Sequence, residues 1–175
     1  MTFLTVGHSD HALAEFVTLL TDAGVDRLVD VRKMPGSRRN PQFDDTVLSV
    51  ELPDAGVQYE RIAELGGLRG RAVEVDPAVN GAWRNRSFHN YADYALSGEF
   101  RAGVTALREG GKGRRTAIMC AEAVWWRCHR RIIADHLLAA GEEVLHLMPG
   151  GRVVPATPTP EATFGADGSV TYPRA

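Results

Sequence analysis

RTAIMCAEAVWWRCHRRIIADHLLAA (Arg115–Ala140) carries the reading of the fold. Its first five residues, RTAIM (Arg115–Met119), are short and apolar, the composition of a strand buried on both faces. Behind them the apolar period changes. From about Trp125 to Ala139 the spacing predicts a helix, and Gly141 stops it. A buried strand that feeds a helix is half of a strand–helix–strand crossover, the connection that parallel strands need. Between the two lies CAEAVWWRCHRR (Cys120–Arg131), with two cysteines, one histidine, one glutamate and three arginines in twelve residues.

The same alternation extends outward in both directions. FLTV (Phe3–Val6) reads as a first strand, ending at Gly7-His8-Ser9-Asp10. Ser9 or Asp10 is placed to cap the next helix, in which Leu13, Phe16, Val17 and Leu20 recur at helical spacing until Gly24. RLVDV (Arg27–Val31) and VQYERI (Val57–Ile62) read as the second and third strands, and EVLHLM (Glu143–Met148) as the fifth. Leu65–Arg86 is loop-rich, with Gly66-Gly67, Gly70 and Asp76-Pro77. Ser87 is the expected cap of a helix carrying Phe88, Tyr91, Tyr94 and Ala95, and a further helix runs from about Glu99 to Arg108. GGKGRRT (Gly110–Thr116) contains Gly-Lys but lacks phosphate-loop spacing and precedes a strand, so it reads as a turn. The expected architecture is a single three-layer α/β domain, a mostly parallel sheet of about five strands with helices on both faces. Residues 1–150 form that domain in this reading, and the Pro/Gly-rich residues 151–175 a tail or small hairpin around Ser169–Tyr172.

Composition narrows the function classes. A chain of 175 residues with a formal net charge of −2 is large enough for a core and too weakly charged for a general nucleic-acid coat. No apolar run approaches the roughly 20 residues of a membrane span, and the N-terminus lacks a charged and apolar leader. A cytoplasmic location and free thiols are the expectation.

In open parallel sheets, ligands bind beyond the carboxyl ends of the strands. The exits here carry His8 and Ser9 after the first strand, Asp30 and Arg32 at the second, Cys120 and Glu122 at the fourth, and His146 in the fifth. Cys120, before a helix and near Arg127 or Arg130, has the surroundings of a thiolate nucleophile, against the alternative of a small buried residue. Glu122 is an acid/base candidate or a partner of Arg130. His8 and Ser9 are candidates for anion binding at the first helix N-terminus, against simple capping by Ser9. Asp30 is placed to orient Arg32 toward a carboxylate or phosphate, with a purely structural ion pair as the alternative. Arg38 lies in the basic loop KMPGSRR (Lys33–Arg39). On a helix, Cys128 and His129 diverge by about 100°, which argues against a metal set with Cys120. Cys128 is then expected to pack inward with Ile132, while His129 or Arg130 faces the cleft. Trp125 and Trp126 read as core or wall.

TVGHS (Thr5–Ser9), DVRKMPGSR (Asp30–Arg38), LGG (Leu65–Gly67), FHNYADYALSGEF (Phe88–Phe100) and CAE followed by CHR (Cys120–Glu122, Cys128–Arg130) occur in this order. Together they resemble the domain of unknown function 488 family over about Thr5 to Leu147. The resemblance implies an α/β domain with a shared pocket and supplies no settled reaction. LVDVR, a strand ending in cysteine and HLLAAGEEVLHLMPGG (His136–Gly151) also resemble rhodanese-like domains, though Arg127 lies seven residues after Cys120 where the related cysteine phosphatases place arginine six after.

The expected function is a hydrolase or group transferase for a small anionic substrate, with phosphorylated compounds and nucleotides as candidates. Cys120, Glu122 and His8 are the catalytic set. Ser9, Asp30, Arg32, Arg38, Arg127, His129 and Arg130 bind substrate, and neither metal nor cofactor is called for. The alternatives are a non-catalytic nucleotide or nucleic-acid binding module and a rhodanese-like sulfur carrier.

Overall fold

Strand β1 (Thr2–Gly7) is the centre of the sheet, and its burial explains its composition: Phe3 to Gly7 are all buried. A computed structural model of residues 1–175 gives the order of the remaining elements: α1 (Leu13–Asp22), β2 (Arg27–Asp30), α2 (Asp45–Asp54), β3 (Gln58–Arg61), α3 (Arg86–Tyr94), α4 (Gly98–Gly110), β4 (Thr116–Cys120), α5 (Arg130–Ala139), β5 (Glu143–Leu147), β6 (Val153–Pro155), β7 (Thr163–Phe164) and β8 (Val170–Thr171). The main sheet runs β3-β2-β4-β1-β5-β6. Its first five strands are parallel, and β6 adds an antiparallel edge.

Alternation along the strands divides the core into two layers. Phe3, Val29, Ile118 and Val144 point to one face, where Tyr91, Phe100, Leu107, Ile132, Ile133 and Leu137 of α3, α4 and α5 cover them. Leu4, Val6, Leu28, Ala117 and Met119 point to the other, against Phe16 and Leu20 of α1 and Leu48 and Leu52 of α2. This is the three-layer α/β arrangement, each side of the sheet closed by the helices of its crossovers. No helix is long and apolar enough to cross a membrane.

Several boundaries differ from the sequence reading. Helix α1 starts at Leu13 with Ala12 at its N-cap and no side-chain cap. Ser9 sits instead in a left-handed turn, φ 49°, with its hydroxyl donating to Asp10 Oδ1 at 3.3 Å. Asn85, not Ser87, caps α3, its side chain accepting from Phe88 N, and Ser97 does the same for α4 from Phe100 N. Helix α2 lies in a stretch where Val47, Leu48, Val50 and Leu52 mix periods; only Leu48 and Leu52, one turn apart, are buried.

The largest correction concerns Trp125–Ala139. Trp125–Arg127 form a single 3₁₀ turn, Cys128 is extended (φ −130°, ψ 148°), and α5 begins only at Arg130. Tertiary ties hold the segment out of the helix. His8 N donates to Cys120 O at 2.9 Å, Ser9 N to Ala121 O at 3.0 Å, and an Arg130 NH2 to Glu122 O at 2.9 Å.

The C-terminal residues complete both the sheet edge and one core layer. Val153–Pro155 pair with Leu145–Leu147, and β7 and β8 form a hairpin. Val170 and Tyr172 are fully buried against the α3–α5 layer.

Candidate functional site

The strand order decides which exits meet. β4 lies between β1 and β2, with Gly7 level with Cys120 and Asp30 level with Met119. The loops leaving β1, β2 and β4 therefore share one end of the sheet, at the point where successive crossovers diverge. A cleft of about 430 Å³ opens there. Arg32, Lys33 and Met34 line it from the β2 exit, Gly67 and Leu68 from the long loop, and Phe88 and Tyr91 from α3. The β4 exit contributes Cys120, Ala121 and Glu122, then Arg127, Cys128 and His129 after the 3₁₀ turn.

Close approach of the β1 and β4 exits depends on Gly7, where a Cβ would overlap the backbone carbonyl of Glu122. The fold then packs the reactive side chains tightly. Cys120 Sγ lies 4.0 Å from His129 Nδ1 and Cys128 Sγ 3.6 Å from the same atom. Cys128 is the extended residue between the 3₁₀ turn and α5, and its sulfur and the His129 ring both come within 4.8 Å of the Cys120 sulfur. His129 Nε2 lies 3.0 Å from Val31 O. A carbonyl only accepts, so Nε2 carries the hydrogen, and Nδ1 faces the two sulfurs. Tyr91 meets that ring edge-on at 4.8 Å, and Gly67 packs closely against it, so that an added Cβ would lie 2.9 Å from Nδ1.

The second cluster fixes a cation. Asp30, fully buried, accepts from the Arg32 backbone N at 3.0 Å, from Arg32 Nε at 2.9 Å and from an Arg32 NH2 at 2.7 Å. Tyr59 OH donates to the same carboxylate at 2.6 Å. Arg32 is thus held in one rotamer and lines the cleft. His8 stands behind it. Its Nδ1 is 2.7 Å from Ser9 O, so Nδ1–H donates there, and Nε2 faces an Arg32 NH1 at 3.4 Å. The His8 ring stacks on Phe43 at 4.5 Å.

A family model described as Domain of unknown function DUF488 matches residues 12–137, most of the chain. The chain belongs to this family. No curated protein and no solved structure matches it significantly, and the rhodanese-like likeness gains no support. The DUF488 match spans the β2 exit, the cleft-lining loop and helix α3, and the β4 exit through most of α5.

Within this DUF488 domain the two thiols are not equivalent. Hydrogen bonding from Cys128, then the nearby His129 and Arg130, hold the half-buried Cys120 thiol well below its ordinary range. Burial first, then its hydrogen bond to Cys120, pushes Cys128 well above. Cys120 is the sulfur that ionises first. Burial lowers His8, partly opposed by its hydrogen bond to Ser9.

Not every residue singled out from the sequence reaches the cleft. Cys120, Glu122, Arg32, Arg127 and His129 line it. Arg38 is exposed on the loop before α2, away from it. Arg130 is 1% exposed, donates to Glu122 O, and keeps Nε and NH1 buried without a protein partner. Ser9 ties the β1 exit to Ala121 through its backbone rather than heading a helix. Trp125 stacks flat on His146 at 4.3 Å, and His146 Nδ1 bonds the Thr5 hydroxyl at 2.7 Å, so this pair is wall behind the site. Cys128 is the participant that helix periodicity assigned to packing alone. Lys33, Phe88 and Tyr91 also line the cleft, and Gly66-Gly67 was the one sequence signal for the loop that closes it.

Proposed function

We propose that the chain is an enzyme, a hydrolase or group transferase, that acts on a small anionic substrate in this cleft. One observation carries the reading: a single cleft brings the Cys120, Cys128 and His129 side chains together with three cations, Arg32, Lys33 and Arg127. Arg32, its Nε and one terminal nitrogen held by Asp30, is pre-ordered and spends little entropy on presenting its remaining N–H groups to a phosphate or carboxylate. Leu68, Phe88 and Tyr91 add an apolar wall suited to a ring or other flat group. In this reading the Cys120–Cys128–His129 cluster is the reacting end, and Glu122 is the proton carrier at the mouth. His8 acts through Arg32 as a positioning residue.

Calorimetric titration with inorganic phosphate, pyrophosphate and nucleotides, followed by assays for their turnover, tests the reading. At least one of these anions binds, and Arg127→Ala weakens it about 10-fold, the equivalent of about 1.4 kcal/mol. Binding that requires oligonucleotide length and falls steeply with salt would instead mark a nucleic-acid module. No response to any anion removes the proposal.

A further inference from the structure

We infer that Cys120, Cys128 and His129 form a zinc site with its fourth position open to the cleft. The two sulfurs and Nδ1 of the imidazole lie within 4.8 Å of one another. Zinc–sulfur bonds of about 2.3 Å and zinc–nitrogen bonds of about 2.0 Å, at tetrahedral angles, require sulfur–nitrogen edges of about 3.5 Å and sulfur–sulfur edges of about 3.8 Å. The observed sulfur–nitrogen edges are 3.6 and 4.0 Å. Small side-chain rotations close the remaining gap.

Three further features fit a metal better than a plain thiol pair. The Nε2–H of His129 donates to Val31 O, which leaves Nδ1 as the donor atom and sets the ring orientation, the usual arrangement behind a zinc-bound histidine. Tyr91 and Gly67 both pack against that ring. The backbone N of Arg130 donates to Cys128 Sγ at 3.4 Å, and the buried Arg130 guanidinium supplies positive charge beside two sulfurs that must both be thiolates to bind metal. Two soft thiolates and an imidazole select zinc among the common divalent ions over magnesium or calcium. Three protein ligands and one free position is the pattern of a catalytic rather than a structural zinc. The free position is the natural place for a water or for one oxygen of the anion. That last assignment rests on the function proposed above; the three-ligand site does not.

The test uses the full chain, reduced and stripped with a chelator, and titrated with Co²⁺ as a spectroscopic stand-in. The expected result is one equivalent bound, with tetrahedral visible bands and a thiolate-to-cobalt charge-transfer band, displaced by Zn²⁺. Cys120→Ser and Cys128→Ser each weaken binding at least about 100-fold, since a lost ligand costs no less than a lost outer-sphere partner. Cys128 is buried and its variant is at risk of misfolding, so X-ray absorption on the wild-type zinc form is the second measurement: two sulfurs at about 2.3 Å and one nitrogen at about 2.0 Å support the site. A cobalt spectrum without charge transfer, or one unchanged in both serine variants, overturns it. Phosphate added to the cobalt form then separates the two ideas. Failure to bind metal while calorimetry still detects the anion sinks the zinc site alone. A tetrahedral cobalt site in a protein that binds no anion upholds the zinc and retires the anionic substrate.

Discussion

Gly7 shows how much one missing methyl group does here. The β1 exit and the Cys120 loop touch backbone to backbone only because Gly7 has no Cβ to meet the Glu122 carbonyl. Gly7→Ala therefore has to push the loop away, breaking the His8 and Ser9 ties to Cys120 and Ala121. The expected cost is about 2–4 kcal/mol by denaturant unfolding, the range of overpacking plus lost hydrogen bonds. An unchanged midpoint would show that the loop yields freely. Asp30 is the second single point of failure. Asp30→Ala leaves the 5%-exposed Arg32 without its counter-charge. Removing one partner of a buried pair typically costs about 3–5 kcal/mol. Asp30→Ala is thus expected to lower the unfolding midpoint and to weaken anion binding together, whereas Arg127→Ala, on the exposed rim, affects binding alone.

At the scale of elements, the C-terminal segment belongs to the core. Tyr172 fills the α3–α5 layer, donates its hydroxyl to Asp135 Oδ2 at 2.7 Å, and receives Ala82 N on its carbonyl at 2.9 Å. Asp135 is itself buried, and burial raises its carboxyl above the ordinary range. Tyr172→Phe strips a donor from that carboxylate and is expected to cost about 1–3 kcal/mol. A chain ending at Arg152 loses the edge strand β6 and the Val170 and Tyr172 side chains together. Its expected behaviour is a broadened, non-cooperative thermal transition; a sharp transition at the full-length temperature would refute the role of the segment. Helix α5 illustrates the other side of element formation. Its apolar spacing reads correctly from Ile132 to Leu137, but its start does not, because Trp125–Arg127 satisfy helical periodicity equally well. What holds the segment ahead of it out of the helix is a pair of hydrogen bonds from His8 and Ser9, more than a hundred residues earlier in the chain, together with the Arg130 bond back to Glu122.

For the whole molecule, pH is the informative variable. Burial holds the His136 imidazole down at about 4, against an ordinary value of 6.5, and its Nε2 is buried without a protein partner against the edge of Phe100. Burial, with Arg130 adding to it, holds His146 at about 4 as well. Between these values the unfolded chain binds more protons than the folded one, so stability rises with pH. The contribution is complete above about pH 6.5 and is lost as pH falls toward 4. For His136 it is on the order of 3 kcal/mol. Urea unfolding across that range should show the slope, and His136→Leu should flatten part of it. An equal slope in the variant would show that His136 does not supply it.

The α/β class, the parallel sheet and its five parallel strands followed from composition and pattern, whereas the antiparallel edge β6 in the Pro/Gly-rich C-terminal residues did not. Short apolar runs between helical patterns have few other ways to bury themselves and still pair their backbones. The polar residues at the strand exits were legible for the same reason: a strand's end marks where a cleft forms in such a sheet. Which of those residues meet was settled by tertiary structure. Placing β4 between β1 and β2 sets Cys120 beside Gly7 and near Asp30, and the break between the 3₁₀ turn and α5 leaves a second thiol and His129 beside the first. Arg38 stays outside because its loop leads to α2 on the surface, and Arg130 turns beneath the β4 loop instead of into the cleft. Local propensity depends on neighbours in sequence, whereas the convergence of side chains depends on strand order and on hydrogen bonds between segments more than a hundred residues apart.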